Sequence, residues 1–218
     1  MKALLVYSGG MDSTVLLYKY KEEISLAVTF TYGARQDEAQ TACAKWNCET
    51  LGIEHLIIPL EFIGQYFSSS ILKGGAPVPH GEYSSSNMKS TVVPFRNGIM
   101  LSVAVGLAES RGLDTVLIAN HSGDHTIYPD CRPGFIDAIS SAAREGTWEG
   151  IKILSPFCNL TKRDIAFEGK ALGVPFEKTY SCYEGSESHC GRCATCMERK
   201  EALRGFDPTT YLSGMDLM

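Results

Sequence analysis

The sequence predicts an α/β chain, a parallel sheet with helices on both faces, closed at its C-terminal end by a short cysteine-rich segment. Three observations carry that expectation. Five short apolar, β-branched runs alternate with stretches of helical period. A glycine pair stands where the first run gives way to the first helix. The alternation stops near residue 173, and half of the eight cysteines crowd into the stretch that follows. The chain therefore divides into an α/β unit, 1–173, and a C-terminal segment, 174–218.

The expected strands are Ala3–Tyr7, Leu26–Phe30, His55–Leu60, Thr115–Ala119 and Ile151–Leu154. Each is a short apolar run, as strands covered on both faces are. Helices are expected at 12–21, 35–51, 97–111, 133–144 and 162–172. Helix 97–111 is apolar almost all round, through Ile99, Met100, Leu101, Val103, Ala104, Val105 and Leu107, and should be buried. Pro133 suits a first helical turn, and Thr161 with Asp164 forms a capping pair. Residues 61–94 break the pattern. Gly74, Gly75, Pro77, Pro79, Gly81 and Ser84–Ser86 interrupt any period, which marks a functional lid or a disordered excursion.

Composition narrows the class. With 44% hydrophobic and 21% charged residues the chain reads as a soluble globular protein. No apolar run reaches the ~18 residues of a membrane span, and Ala3–Tyr7 is too short for a signal peptide. The expected location is the cytoplasm, with no membrane partner. The net charge of -5 argues against a grip on long nucleic acid, whose affinity rests mostly on phosphate neutralisation. Small molecules are the better partners.

The first strand runs into Ser8-Gly9-Gly10-Met11-Asp12-Ser13, with a helix opening near Thr14. Glycines let backbone approach a polyanion, and the free N–H groups of a helix start point at it. Ser8 and Ser13 add hydroxyl donors, and Asp12 can position a magnesium ion on phosphates. A tight turn alone would need only Gly9 and Gly10. The hexapeptide instead sits at the carboxyl end of a strand, where open α/β sheets bind ligands. It is neither a Walker loop nor a dinucleotide fingerprint.

Cys182 is followed by Cys190-Gly191-Arg192-Cys193-Ala194-Thr195-Cys196. Two overlapping Cys-x-x-Cys steps bring three sulfurs onto one turn, Cys182 supplies a fourth, and a helix after Cys193 carries Cys196. Four thiolates suit a closed structural zinc site. An iron–sulfur cluster is the competing occupant, and a thioredoxin-like pair is disfavoured because that motif follows a first strand. His189 offers a substitute ligand that four cysteines make unnecessary. Cys43, Cys48, Cys131 and Cys158 are scattered and read as free thiols.

Two further stretches carry polar groups at strand ends. Arg96, in Val93-Pro94-Phe95-Arg96-Asn97, opens the buried helix, where a cation is disfavoured unless an anion lies nearby. Asn120–His125 leads to Tyr128-Pro129-Asp130-Cys131-Arg132, which is either an ordinary loop before a helix or a set of groups for a heterocycle. Lys162 opens a later helix and can reach a phosphate, though a lone lysine there is usually solvated.

Ser8–Ser13 resembles the loop of N-type ATP pyrophosphatases, which cleave ATP between the α- and β-phosphates. Together with Val93–Asn97, Tyr128–Arg132 and the cysteine cluster, it resembles the 7-cyano-7-deazaguanine synthase family of queuosine biosynthesis over nearly the whole chain. That resemblance implies an adenine-nucleotide α-hydrolase-like fold and an AMP-forming ligase acting on 7-carboxy-7-deazaguanine, Mg-ATP and ammonia. It implies ATP contacts from Ser8, Gly9, Gly10, Met11, Asp12, Ser13 and Thr14, catalytic roles for Asp12, Ser13 and Lys162, and substrate contacts from Arg96, Tyr128, Asp130 and Arg132. It also implies zinc on Cys182, Cys190, Cys193 and Cys196, and a homodimer. Gly134, where a glutamate is common, and Gln36, where a histidine often follows the basic residue, depart from the family pattern and bear on substrate recognition. Other readings are an enzyme of the same fold that adenylates a different carboxylate or thiolates tRNA, and a zinc-ribbon nucleic-acid module. The last leaves Ser8–Ser13 without a purpose.

Overall fold

The computed structural model describes residues 1–81, 84 and 88–212. Five strands, β1 (Ala3–Val6), β2 (Ile24–Thr31), β3 (Glu54–Pro59), β4 (Thr115–Leu117) and β5 (Lys152–Leu154), form one sheet in the order β3-β2-β1-β4-β5. Every neighbouring pair is parallel. The chain builds outward from β1 in one direction and then crosses to the other side, so the order reverses between β1 and β4. Such a reversal opens a crevice at the carboxyl ends of the strands.

Seven α-helices join or follow the strands among the described residues: α1 (Met11–Lys19), α2 (Asp37–Leu51), α3 (Glu61–Tyr66), α4 (Arg96–Ser110), α5 (Pro133–Gly146), α6 (Lys162–Ala171) and α7 (Ala194–Ala202). Alternate residues of β1 face opposite layers. Leu4 belongs to the apolar cluster that α4 and α5 cover with Leu101, Ala104 and Ile136. Ala3 and Leu5 belong to the cluster that α1 and α6 cover with Val15, Leu16 and Ile165. Burial of each such Leu or Ile contributes roughly 1.5–3 kcal/mol. The contact between α1 and α6 depends on Gly169, where a β-carbon would meet Val15 Cγ2 at 2.6 Å and Phe176 Cζ at 2.7 Å.

The α4 stretch is the most apolar of the chain. Lys89–Ser110 matches a membrane span in length and mean hydropathy, and half of it is buried inside the fold. Its α-helical part is only 15 residues, about 22 Å at 1.5 Å per residue, against a hydrocarbon core of ~30 Å. Met100, Leu101, Ala104 and Ala108 face the sheet, so α4 is a core helix.

Differences from the sequence expectation lie where contacts are long-range. The described part of 61–94 is no excursion: Ile63, Ile71, Leu72, Met88 and Val93 are buried. Ala34 pairs with Leu72, and Ser70 N–H donates to the Ser90 carbonyl, so this segment is laid over the end of β2. Of the run Ser84–Ser86, Ser85 and Ser86 lie outside the described residues. β4 ends at Leu117, two residues early, because the chain then turns toward the crevice. After residue 173 the helix–strand alternation does stop, yet Val174, Phe176, Ala202 and Leu203 share the apolar cluster of α1 and α6.

Candidate active site

The phosphate-type loop is held by its own side chains. Ser8 Oγ and Ser13 Oγ lie 2.9 Å apart, and the Gly10 N–H donates to Ser8 Oγ at 3.1 Å. Thr14 Oγ1 donates to the Gly10 carbonyl at 2.8 Å, and Tyr7 OH meets Thr14 Oγ1 at 3.1 Å. Gly9 is required twice over: its φ is +78°, and a β-carbon there would stand 2.1 Å from the Gln40 carbonyl on α2. Ser8, Gly10, Met11, Asp12 and Ser13 line the crevice. Gly9 and Thr14 brace the loop from beneath, Gly9 through its carbonyl, which accepts from the Tyr180 N–H at 3.0 Å.

Lys162 comes into the same cavity from the start of α6. Its Nζ lies 3.1 Å from Asp12 Oδ2 and 2.9 Å from Glu198 Oε2. Burial works against the lysine charge, but Asp12 and Glu198 outweigh it and hold the ammonium well above its ordinary pKa. Burial likewise pushes the Asp12 carboxyl up, and the charges of Lys162 and His121 pull it below its usual value. Asp12 Oδ1 is buried with no hydrogen-bond partner. An orphaned carboxylate oxygen is costly unless a ligand or cation meets it, and a magnesium-bound polyphosphate on this loop would do so.

Gln36 Oε1 and Thr41 Oγ1 are also buried without a partner, and both residues line this cavity. They belong to the turn into α2 and its first turns. That turn is set by Asp37, whose Oδ2 accepts from the backbone N–H groups of Tyr32, Gly33 and Ala34 at 2.9, 2.8 and 3.0 Å.

The wall across from the loop gathers Arg96, Tyr128 and Tyr183. Arg96 Nη1 donates to Tyr32 OH at 3.1 Å, and Tyr128 OH lies 3.2 Å from both Thr91 Oγ1 and Tyr183 OH. Burial disfavours the guanidinium charge, and Tyr32, Tyr183 and Asp130 more than offset it. Arg96 is aimed inward by Phe95, the one non-glycine residue of positive φ among those described, at +54°. The Phe95 ring fills the place a Gly98 side chain would take, with Cε1 2.3 Å from the position of its β-carbon.

Asp130 and Arg132 do not line the cavity. Asp130 Oδ2 accepts from the Asn97 N–H at 2.8 Å and so caps α4, its charge at the positive end of that helix. Asn97 Nδ2 donates to Cys131 Sγ at 3.1 Å, and Asn120 Nδ2 to the Cys131 carbonyl at 2.6 Å. Arg132 is exposed, its Nε donating to the His125 carbonyl at 2.9 Å. Most of the Tyr128–Arg132 string is therefore a bracket for the start of α4, and only Tyr128 and Cys131 of it meet the cavity. Asp130 also supports the Arg96 charge, after Tyr32 and Tyr183.

The four C-terminal cysteines are brought together. Their Sγ atoms all lie within 4.8 Å of one another, and each residue is buried. Cys182 and Cys193 sulfurs are 3.9 Å apart and Cys190 and Cys196 sulfurs 4.0 Å. Sulfurs at ~2.3 Å from one tetrahedral zinc would be about 3.8 Å apart. Backbone N–H groups of Cys190 and Cys193 point at Cys182 Sγ and Cys190 Sγ, 3.4 and 3.3 Å away, as suits thiolates. The geometry fits a four-thiolate metal site. His189 is committed elsewhere, its Nε2 accepting from the Ser181 N–H at 3.1 Å.

Sequence reasoning missed several groups of the cavity, Gln40, Thr41, Tyr183, Thr195 and Glu198, whereas Gln36, His121 and Asp124 lie in stretches it had singled out. Thr195 and Glu198 belong to α7, the helix that begins on the cysteine cluster. Nothing in a one-dimensional pattern places that helix beside Lys162, although Glu198 follows Cys196 by only two residues.

Comparison with known proteins identifies the family. The family described as "Queuosine biosynthesis protein QueC" matches residues 2–207. A 7-cyano-7-deazaguanine synthase from Porphyromonas gingivalis (strain ATCC 33277) is 54% identical over 212 residues, covering 96% of each chain. One from Desulfotalea psychrophila is 51% identical over 96% of this chain and 98% of its own, and one from Brucella ovis is 46% identical over 97% and 94%. Among solved structures, an NMN synthetase from Francisella tularensis shares the fold alone, with a TM-score of 0.51 at 16% identity over 86% of this chain and 69% of that one. A loop of this form at the sheet's reversal point, four gathered cysteines and homology end to end lead to one conclusion: the chain is an enzyme that belongs to the queuosine biosynthesis QueC family.

Proposed function

We propose that the chain converts 7-carboxy-7-deazaguanine and ammonia to 7-cyano-7-deazaguanine, using ATP as an adenylating agent and releasing AMP and pyrophosphate. The observation that carries this reading is the single cavity that joins the Ser8–Ser13 loop, Lys162 and Arg96. Adenylation needs the α-phosphate between a pyrophosphate cradle and an acyl oxygen, and a cavity with an anion-binding loop on one side and a cation on the other meets that need.

The substrate carboxylate, oriented by Arg96, attacks the α-phosphorus, and pyrophosphate leaves on the backbone N–H groups of the loop and the hydroxyls of Ser8 and Ser13. Ammonia then adds to the acyl carbon, loses a proton, and AMP departs to give the amide. The amide oxygen attacks a second ATP in the same way. Loss of the remaining amide N–H protons and of AMP leaves the nitrile. Lys162 contributes charge to the phosphates throughout. Asp12 would hold the magnesium of Mg-ATP, which would supply charge neutralisation to the phosphates. The unpartnered polar atoms of Gln36 and Thr41 face the nucleoside of ATP at the end of β2, leaving the Arg96–Tyr128–Tyr183 side to the deazaguanine. Zinc on Cys182, Cys190, Cys193 and Cys196 is structural, since a closed four-thiolate site leaves no position for substrate. In this reading the enzyme is a C–N-forming ligase of the cytoplasm, working as a homodimer.

The amide separates this reading from its rivals. Synthetic 7-amido-7-deazaguanine should become nitrile with ATP and without ammonia, whereas the acid should require both. An enzyme that ignores acid and amide alike, yet forms AMP from another carboxylate, would keep the fold assignment and overturn the substrate.

A further inference from the structure

The helix that begins on the cysteine cluster reaches into the ATP cavity. α7 takes Cys193 as its N-cap and carries Cys196 in its first turn, and on its cavity side it presents Thr195 and Glu198. Glu198 Oε2 accepts from Lys162 Nζ at 2.9 Å, while Asp12 Oδ2 stands 3.1 Å from the same nitrogen. One ammonium is thus clasped between carboxylates from two distant elements. The three side chains are only 13–20% exposed, so solvent screens the cluster weakly.

The two carboxylates are not equivalent. Asp12 lies on the phosphate loop and keeps an orphaned oxygen for a cation. Glu198 holds the lysine from α7, an element tied down by its neighbouring residue. The next residue, Arg199, is fully buried and donates to Thr209 Oγ1, Thr179 Oγ1, Ser181 Oγ and the Phe176 carbonyl, at 2.8, 2.8, 3.0 and 2.7 Å. Glu198 is also the wrong charge for attracting a nucleotide: a carboxylate beside a polyphosphate weakens ground-state binding. Its presence calls for another role, and its contact supplies one.

We propose that Glu198 is a positioning residue, which fixes the Lys162 ammonium at the phosphates and so makes the cysteine-anchored helix part of the ATP site. The proposal rests on the reading that Lys162 acts on ATP. When nucleotide and its cation engage Asp12, Lys162 keeps Glu198 as its remaining anchor. The lysine then meets the separating charge from a fixed place and does not have to be ordered at the moment of reaction. The fold of the cysteine centre and turnover of ATP are thereby coupled through one hydrogen bond.

The test is a comparison of wild type, Glu198→Gln and Glu198→Ala, each measured for kcat, for KM of ATP, for zinc per chain and for Tm. Glu198→Gln retains an oxygen acceptor for Lys162 and removes the charge; Glu198→Ala removes both. The expected result is a graded loss of kcat, about tenfold for Gln and about a hundredfold for Ala. KM for ATP should be unchanged or lower, and zinc content and Tm should match wild type. Unchanged kcat in Glu198→Ala would overturn the proposal. So would a fall in zinc content or Tm that tracks the fall in kcat, because that pattern marks a residue that merely holds the helix. If Glu198→Ala does not fold, Glu198→Gln decides alone by its kcat against KM. Wild type run alongside must release AMP and pyrophosphate; ADP there would overturn the reading of Lys162 instead, whatever the variants do.

Discussion

The phosphate loop and the wall facing it are built in opposite ways. The loop is one hexapeptide whose hydroxyls and amides bond to each other, at 2.9 Å between Ser8 and Ser13 and 3.1 Å from Gly10 to Ser8. The wall takes Arg96 from the head of α4, Tyr128 from the connection before α5 and Tyr183 from the cysteine-rich segment. A contiguous site carries its geometry with it. An assembled one borrows its geometry from supports that never touch the ligand, such as Asp130 under Asn97.

Substitutions should therefore behave differently in the two regions. Asp12→Ala and Ser13→Ala are expected to lower kcat by about a thousandfold, in line with the loss of a charge-stabilising group, with Tm and metal content near wild type. Steady-state kinetics and thermal unfolding check this. Loss of fold along with activity would show that the loop is not self-contained. Cys193→Ser should act the other way, emptying the metal site and loosening the C-terminal segment first, since a closed thiolate site couples metal binding to local folding. Metal analysis and hydrogen exchange would show it, and an intact metal content would contradict the assignment of Cys193 as ligand.

Asp130→Ala sharpens the comparison on the wall. It leaves the Asn97 N–H without a partner at a buried helix start, which costs roughly 1–3 kcal/mol, and KM for the acid should rise with the fall in Tm. Arg132→Ala, on the exposed side of the same string, should change neither by more than a few tenths of a kcal/mol. Equal effects from the two would mean that the string contacts substrate directly. The smallest effect is expected at Gln36. Removing its carboxamide should raise KM for ATP about two- to tenfold, the worth of one hydrogen bond, and leave use of the amide at saturating ATP unchanged.

The legibility of these regions in the sequence follows the same division. The alternation of strands and helices was readable because a covered parallel strand and a covered helix each impose a local pattern. Ser8–Ser13 and the cysteines were readable because their chemistry needs fixed spacing within a few residues. Asp130 read as a substrate group because a carboxylate near a strand end looks the same whether it faces a ligand or a helix terminus. Only the fold, which sets the start of α4 on Asp130, decides. The neighbours of Lys162 left a phosphate contact and a solvated lysine both open, and only the family resemblance gave it a catalytic role; its place in the cavity comes from Asp12 and Glu198, 150 and 36 residues away. The packing of the described part of 61–94 against β2 was hidden for a similar reason: its glycines and prolines erase periodicity, while Ile71 and Leu72 find their contacts far along the chain.

The most direct test of the account follows ATP through one reaction. Enzyme, acid, ammonia and ATP labelled at the α-phosphate should yield labelled AMP and free pyrophosphate, two of each for every nitrile formed, with no ADP. AMP should appear only when acid or amide is present. Release of ADP and orthophosphate, or AMP formed at the same rate without either substrate, would contradict the claim that this cavity adenylates a carboxylate.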